Sequence, residues 1–158
     1  MSYIDDNLMS GEHIIYRAKL HWVVFGIPII FAVIIAVITL VLFFAGGDTI
    51  AMGYVFLFFL LIAIIWVVSS FISFKTSEFG VTSKRVLVKV GWIRRNSLEI
   101  LLAKIEGIQA NQGILGRILN YGTIVIKGTG GTSNPFHKIE APFEFRKKVQ
   151  EQIDLIQR

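Results

Sequence analysis

The sequence predicts an α+β membrane protein in which a two-helix transmembrane hairpin is followed by a small antiparallel β-barrel or sheet with a C-terminal capping helix. Three observations predict this fold class. Of 158 residues, only 17% are charged, whereas soluble domains carry about 25%. Residues 22–74 hold one formal charge, that of Asp48. After residue 75 the apolar residues follow the alternation of strands, and then the spacing of one final helix.

Two apolar runs are long enough to cross a bilayer as helices. They cover residues 22–45 and residues 53–74. A helix rises about 1.5 Å per residue, so each run exceeds the roughly 30 Å of the hydrocarbon core. The short connection around Asp48 predicts antiparallel helices, with both termini on one side. A cleaved signal peptide is the alternative for the first run, but such signals contain only about 7–15 apolar residues.

The charges beside the two runs predict their orientation. Arg17, Lys19 and Lys75 flank the open ends of the hairpin, whereas its loop carries Asp48 alone. Lys and Arg are enriched in the cytoplasmic segments of membrane proteins. We therefore expect a multi-pass membrane protein with both termini in the cytoplasm. Neither run contains an ionisable residue, which favours an anchor over a transporter.

The chain divides into three predicted segments: an N-terminal cytoplasmic segment of residues 1–21, the transmembrane hairpin of residues 22–74, and a polar domain of residues 75–158. The polar domain contains fourteen Lys and Arg against seven Asp and Glu. Next to a bilayer, this excess predicts attraction to anionic headgroups, at about 1 kcal/mol per basic residue. The alternative is a cytoplasmic charge that only sets the topology. The chain has no Cys, which excludes disulfides and Cys-ligated metals.

The polar domain is predicted to contain strands and a final helix. Residues 86–90, 94–102 and 123–127 alternate in hydrophobicity or are rich in β-branched side chains, as strands are. Pro142 suits the first turn of a helix. An apolar stripe at helical spacing follows it: Phe145, Val149, Ile153 and Ile156. Such a stripe predicts a helix that closes one face of the sheet.

Two stretches of sequence carry a family resemblance, GVTSKRVLVKVGWIRR from residue 80 and LEILLAKIEGIQANQGILGRILNYGTIVIKG from residue 98. Their distinctive positions are turn and core residues: Thr82, Lys84, Arg85, Gly91, Ile105, Ile108, Gly116, Tyr121 and Gly122. With the late Pro142, they resemble the bacterial pleckstrin-homology (PH) domain, in the membrane-associated class formerly described as a domain of unknown function. Upstream, Gly11 and Glu12 resemble the approach to the first span in that class. The resemblance implies a PH-like barrel, a location in the bacterial cytoplasmic (inner) membrane and no agreed catalytic residues.

The candidate residues for contact with anionic lipid or a protein partner are Lys84, Arg85, Lys89, Arg94 and Arg95. Eukaryotic members of the wider fold often bind phosphoinositides through Lys and Arg around the first strand-to-strand loop, and this is the nearest basic set. Arg94 and Arg95 depart from the usual pattern because adjacent residues point to opposite faces of a strand. We therefore expect general attraction to anionic lipid rather than inositide recognition.

The sequence predicts no catalytic, cofactor-binding or metal-binding residues, and no cofactor. The Gly-rich stretch before residue 132 lacks the Gly-Lys-Ser/Thr of a nucleotide-binding P-loop. The three histidines, His13, His21 and His137, have no spacing typical of metal ligands.

The function expected from these patterns is that of a non-enzymatic, membrane-anchored binding or scaffolding module, which presents a PH-like domain at the cytoplasmic face of the inner membrane. The alternative is an accessory or regulatory subunit of a larger membrane complex, with the apolar hairpin as its contact surface. A membrane-bound hydrolase is a less favoured third class. The expected partners are membrane lipids and an unidentified membrane or cytoplasmic protein, with self-association left open. Nucleic acid is not expected, because aromatic residues are not interleaved with the basic ones.

Overall fold

The computed structural model describes residues 3–91, 96–129, 131 and 133–156. It confirms the predicted fold class, since two long apolar helices are combined with antiparallel sheets and a C-terminal helix. The chain forms two compact units. The sheet unit contains the residues up to His21 and those from Phe74 onward, and the hairpin unit contains Trp22–Ser73.

The N-terminal residues up to His21 belong to the same compact unit as the residues from Phe74 onward, whereas the sequence analysis treated residues 1–21 as a separate segment. A short helix, α1 (Tyr3–Asp6), buries Ile4, and a strand, β1 (Ile14–Ala18), follows it. The strand that pairs with β1 lies after the apolar helices, at residues 78–82. The sequence prediction placed the whole domain after residue 75 because the apolar helices separate these two partners along the chain.

The hairpin unit contains two apolar helices. A 3-10 turn at Trp22–Phe25 precedes α2 (Gly26–Phe44), and α3 (Thr49–Thr76) follows after a short loop. Both are long and apolar enough to cross a membrane, by length and composition alone. Within the unit the Phe31 ring lies 5.9 Å from that of Trp66, between ring centroids.

The second helix begins four residues earlier than the apolar run predicts. The Asp48 carboxylate accepts the backbone N–H of Ile50 at 2.9 Å and that of Ala51 at 3.4 Å. A carboxylate in this position satisfies the free N–H groups of the first turn. The helix therefore starts at Thr49, directly after Asp48.

The first sheet is antiparallel and has the order β1-β2-β3-β4. Its other strands are β2 (Glu78–Thr82), β3 (Arg85–Val90) and β4 (Asn96–Leu101). Ala18 is paired with Phe79, and Glu78 with Lys89, so these residues lie at one end of the sheet. We call this the hairpin end, because the chain leaves it towards residue 22 and returns to it from residue 73. The turn between β2 and β3 lies at the opposite end.

The second sheet has three antiparallel strands in the order β5-β6-β7. Its elements along the chain are β5 (Ile105–Asn111), a short helix α4 (Ile114–Leu119), β6 (Tyr121–Gly128) and β7 (Ser133–Glu140). Leu20 forms a bridge with Ile139, and the His21 N–H donates to the Lys138 carbonyl at 2.7 Å. The residues after β1 therefore connect the first sheet with β7 of the second sheet.

The C-terminal helix α5 (Pro142–Ile156) packs on both sheets, as its apolar stripe predicts. Phe145, Val149 and Ile153 are buried, and the Phe145 ring meets that of Tyr16 edge-on at 6.3 Å. Ile156 is 47% exposed, so the buried stripe ends one turn before the helix does. The core beneath α5 comes from alternate strand residues, which include Phe79, Val81, Val86, Val88, Ile124 and Ile126.

Candidate anion-binding cavity at the hairpin end

Arg85, at the start of β3, is an internal ion-pair residue, which corrects its assignment as a lipid contact. Its side chain is 7% exposed. Nε donates to Glu12 Oε1 at 3.0 Å, and Nη2 donates to Glu12 Oε2 at 3.0 Å. Nη1 donates to Glu99 Oε2 and Nη2 to the Asn7 carbonyl, both at 2.6 Å. These bonds occupy the guanidinium fork and hold the N-terminal residues on β3.

Electrostatics around Glu12 explain why a buried charge is tolerated. Burial by itself raises the pKa of the Glu12 carboxyl, but hydrogen bonds from Arg85, Thr82 and the Met9 N–H lower it to about 2. The Thr82 hydroxyl lies 2.6 Å from Glu12 Oε1. The hydrogen bond to Glu12 in turn raises the pKa of Arg85. Both partners are therefore ionised at neutral pH, and these residues serve the fold.

The other predicted contact residues are not brought together. Lys84 is exposed in the turn between β2 and β3, where its Nζ donates to the Ser10 carbonyl at 3.1 Å. Lys89 is half-buried near the hairpin end, with its Nζ 4.9 Å from the centre of the Tyr3 ring. Strand residues advance about 3.3 Å each, which separates Lys84 from Lys89 by roughly 16 Å. Arg94 and Arg95 lie outside the described residues.

A cavity of about 290 Å³ lies at the hairpin end of the first sheet. It is formed by the end of β1, the first residues of β2 and the residues just before β2. Its cationic lining residues are Arg17, Lys19 and Lys75; its apolar ones are Ile4, Ala18, Phe74 and Phe79; its other polar ones are Ser77 and Glu78. The two lysines and the arginine are exposed, whereas most of the apolar residues are buried.

The cavity has an excess of positive charge and a buried hydroxyl. The Glu78 carboxylate accepts the backbone N–H groups of Tyr3 and Ile4, each at 3.2 Å, and Arg17 pairs with Asp5. Ser77 is 3% exposed. Its Oγ has no hydrogen-bond partner within the part of the chain that the structure describes.

The chemistry of this lining suits an oxyanion. A buried hydroxyl without a partner costs about 1–3 kcal/mol, which a bound acceptor would recover. Lys and Arg form charge-assisted hydrogen bonds with phosphate oxygens. Among the described residues, no group of three or more His, Asp and Glu is placed to hold a metal ion. The lining is therefore chemically suited to an anion of the size of a phosphate group.

Sequence reasoning used Arg17, Lys19 and Lys75 only as topology signals and did not group them into a site. The sequence did contain a pattern that could have grouped Arg17 with Lys19 on one strand. Tyr16, Ala18 and Leu20 alternate with the two cations Arg17 and Lys19, which is the period of a half-buried strand. What the sequence did not show is that this strand pairs with residues 78–82. Ser77 does not belong to a recognisable sequence motif.

Comparison with models of known protein families identifies the family of this chain. A family model described as the bacterial PH domain matches residues 18–153. The match runs from the last residue of β1 to the last turn of α5, so it includes β2 to β7, the apolar helices and the residues from Phe74 to Phe79. No curated protein and no solved structure shows a significant match. The chain belongs to the bacterial PH domain family.

Proposed function

We propose that this chain is a non-catalytic binding module, which its two apolar helices anchor in the bacterial cytoplasmic membrane. Three features support the anchor and its orientation. The helices are long enough to span a bilayer. Arg17, Lys19 and Lys75 flank the ends of the apolar segment, and Asp48 lies in its loop. Basic residues favour the cytoplasmic side, so the PH domain and both termini are assigned to the cytoplasm.

The proposed ligand of the cavity is the phosphate-bearing headgroup of an anionic lipid. The observation that carries this proposal is that three cations and the buried Ser77 hydroxyl converge at the hairpin end. His21 and Phe74 are the residues at which the chain leaves and re-enters the PH domain. If the helices span the membrane, a headgroup is therefore within reach of the cavity. Each well-placed basic residue contributes about 1 kcal/mol to such attraction.

A scaffolding role for the PH domain is part of the same proposal. In the described part of the first sheet, β4 pairs with β3 on one side and has no strand on its other side. An open strand edge can recruit an extended peptide by strand addition. Most exposed side chains of α2 and α3 are apolar, which suits lipid contact.

Topology is tested with reporter fusions in a bacterial host. A reporter that is active only in the cytoplasm is fused after Arg158, and separately inserted at Asp48. We expect activity from the first fusion alone, because the loop and the terminus lie on opposite sides of the membrane. Cytoplasmic activity at both positions would contradict the two-span anchor.

Headgroup binding is tested on the full chain in lipid nanodiscs. Hydrogen–deuterium exchange of a peptide that covers residues 74–80 is compared in neutral lipid, in neutral plus anionic lipid, and in neutral lipid with free inorganic phosphate. We expect anionic lipid to slow exchange, and added salt to weaken the effect. Protection by free phosphate alone would assign the cavity to a soluble anion.

A matched pair of variants separates the cavity from general surface charge. Lys19→Glu with Lys75→Glu reverses two lining cations, and Lys104→Glu with Lys127→Glu makes the same charge change at exposed residues outside the lining. We expect the first double variant to lose protection by anionic lipid and the second to keep it. Equal losses in both variants, or equal protection in neutral lipid, would contradict a headgroup site.

A further inference from the structure

Helix α4 exposes its apolar side chains, which is the reverse of an ordinary surface helix. Ile114, Leu115 and Ile118 are 84%, 66% and 73% exposed. Its buried residue is Gly116, where an added Cβ would lie 2.5 Å from the Tyr121 carbonyl oxygen. The helix therefore contacts the domain through a glycine. Exposed apolar clusters of this kind commonly mark contact surfaces.

Contacts within the PH domain hold α4 close to the point where the chain departs for the apolar helices. The Tyr121 ring, just after α4, stacks on the His21 ring with 5.3 Å between centroids. His21 is the last residue of the domain before the hairpin unit. The Tyr121 backbone also contacts Gly116 of α4. Tyr121 therefore lies between His21 and α4 and contacts both.

The polar groups around this apolar surface are neutral or basic. Arg117 is exposed on α4. Across the groove beside the helix lie His137 and Lys138, and no described residue that lines the groove is acidic. Apolar side chains ringed by cations fit the boundary between acyl chains and anionic headgroups. A protein surface that covered this groove would have to supply the acidic groups itself.

We propose that α4 inserts Ile114, Leu115 and Ile118 into the headgroup–acyl boundary of the membrane and thereby holds the PH domain against the bilayer. This inference rests on the proposed membrane anchor. It goes beyond that anchor, because it assigns a second contact surface that is distinct from the cationic cavity. It also specifies which part of the second sheet faces lipid.

The chain has no Cys, so single-cysteine variants allow a direct test in the full-length protein. Ile118→Cys is labelled with an environment-sensitive fluorophore and reconstituted into nanodiscs that contain lipids with a quencher in the upper acyl chain. Leu155→Cys, on α5, is the matched control, because Leu155 is 63% exposed and lies on another surface. Val37→Cys, in the middle of α2, reports insertion of the hairpin.

We expect a blue-shifted emission and strong lipid quenching at residue 118, and neither at residue 155. Quenching at residue 37 without quenching at residue 118 would overturn the inference and leave the membrane anchor standing. Quenching at neither residue would overturn the anchor itself. A blue shift at residue 118 that lipid does not quench, and that fades as protein is diluted into more nanodiscs, would assign the surface to a second copy of the chain. Equal quenching at residues 118 and 155 would also overturn the inference that α4 inserts into the membrane.

Discussion

Replacing Glu12 with Gln removes one charge from the buried ion pair that fastens the N-terminal residues to β3. Gln has nearly the same shape, but only one of its two terminal atoms can accept a hydrogen bond from Arg85, and Glu99 is left as the only carboxylate paired with the guanidinium among the described contacts. Removing one partner of a buried ion pair costs about 3–5 kcal/mol. The Glu99 side chain is 38% exposed and still balances part of the charge. We therefore expect the free energy of opening of β3 to fall by about 3 kcal/mol, which is the lower end of that range.

The lowered pKa of Glu12 gives this prediction a pH dependence with a definite sign. The carboxyl titrates at about 2 in the folded chain, against an ordinary value of 4.5. Its ionised form therefore stabilises the fold fully above pH 4.5, and this stabilisation disappears as the pH falls towards 2. The shift corresponds to about 3 kcal/mol, of which about 2 kcal/mol is already lost at pH 3.

Hydrogen–deuterium exchange of β3 in the full chain, in mild detergent, measures both effects. Exchange rates are corrected for the intrinsic effect of pH. Glu106→Gln is the matched control, because Glu106 is exposed on β5. At pH 7 we expect β3 amides in Glu12→Gln to open about 100-fold more often than in the control, since 1.4 kcal/mol is about tenfold. Between pH 7 and pH 3 the control should lose more protection than Glu12→Gln.

Equal protection of β3 in the two variants at pH 7 would refute the structural role of the ion pair. Parallel losses between pH 7 and pH 3 would refute the assignment of the acid sensitivity to Glu12. The first result would mean that the N-terminal residues are held on the domain by apolar contacts, such as the burial of Ile4.

Two further predictions concern the packing of the helices on the sheets. Val149→Asp combined with Ile153→Asp places two charges on the buried face of α5. Each buried ion costs several kcal/mol, which is comparable with a total stability of about 5–15 kcal/mol. The double variant should therefore lose cooperative thermal unfolding. Gly116→Ala should lower the melting temperature, because its Cβ would lie 2.5 Å from a backbone carbonyl. Gly113→Ala should leave it nearly unchanged, because no atom lies within 4 Å of the added Cβ.

The apolar helices and α5 could be predicted because their signals are local. A long run without charge and an apolar stripe at helical spacing need no knowledge of distant residues. Phe145, Val149 and Ile153 are buried as the stripe predicts. The start of α3 was less predictable, because it depends on the Asp48 side chain, which accepts the first N–H groups of the helix, and not on the apolar run alone.

The pairings of the sheet unit could not be predicted, because they join residues that are distant in sequence. The sequence indicated strands at residues 86–90, 94–102 and 123–127, whereas the described residues form seven strands. Arg85 was grouped with Lys84 as a surface cation, since adjacency in sequence does not show that alternate residues of β3 point inward. Its partner Glu12 is separated from it by both apolar helices. The cationic cavity was missed for the same reason.

The position of the apolar helices in the chain has a consequence for the PH domain itself. They are inserted between β1 and β2, which are paired neighbours in the first sheet. Adjacent strands lie about 5 Å apart, so the chain leaves and re-enters the domain at nearly the same place, beside Ala18 and Phe79. A soluble version of the domain cannot therefore consist of residues 75–158 alone, since it would lack β1 and leave Arg85 without Glu12. It must join the N-terminal residues directly to β2, across the gap that the helices occupy in the sequence.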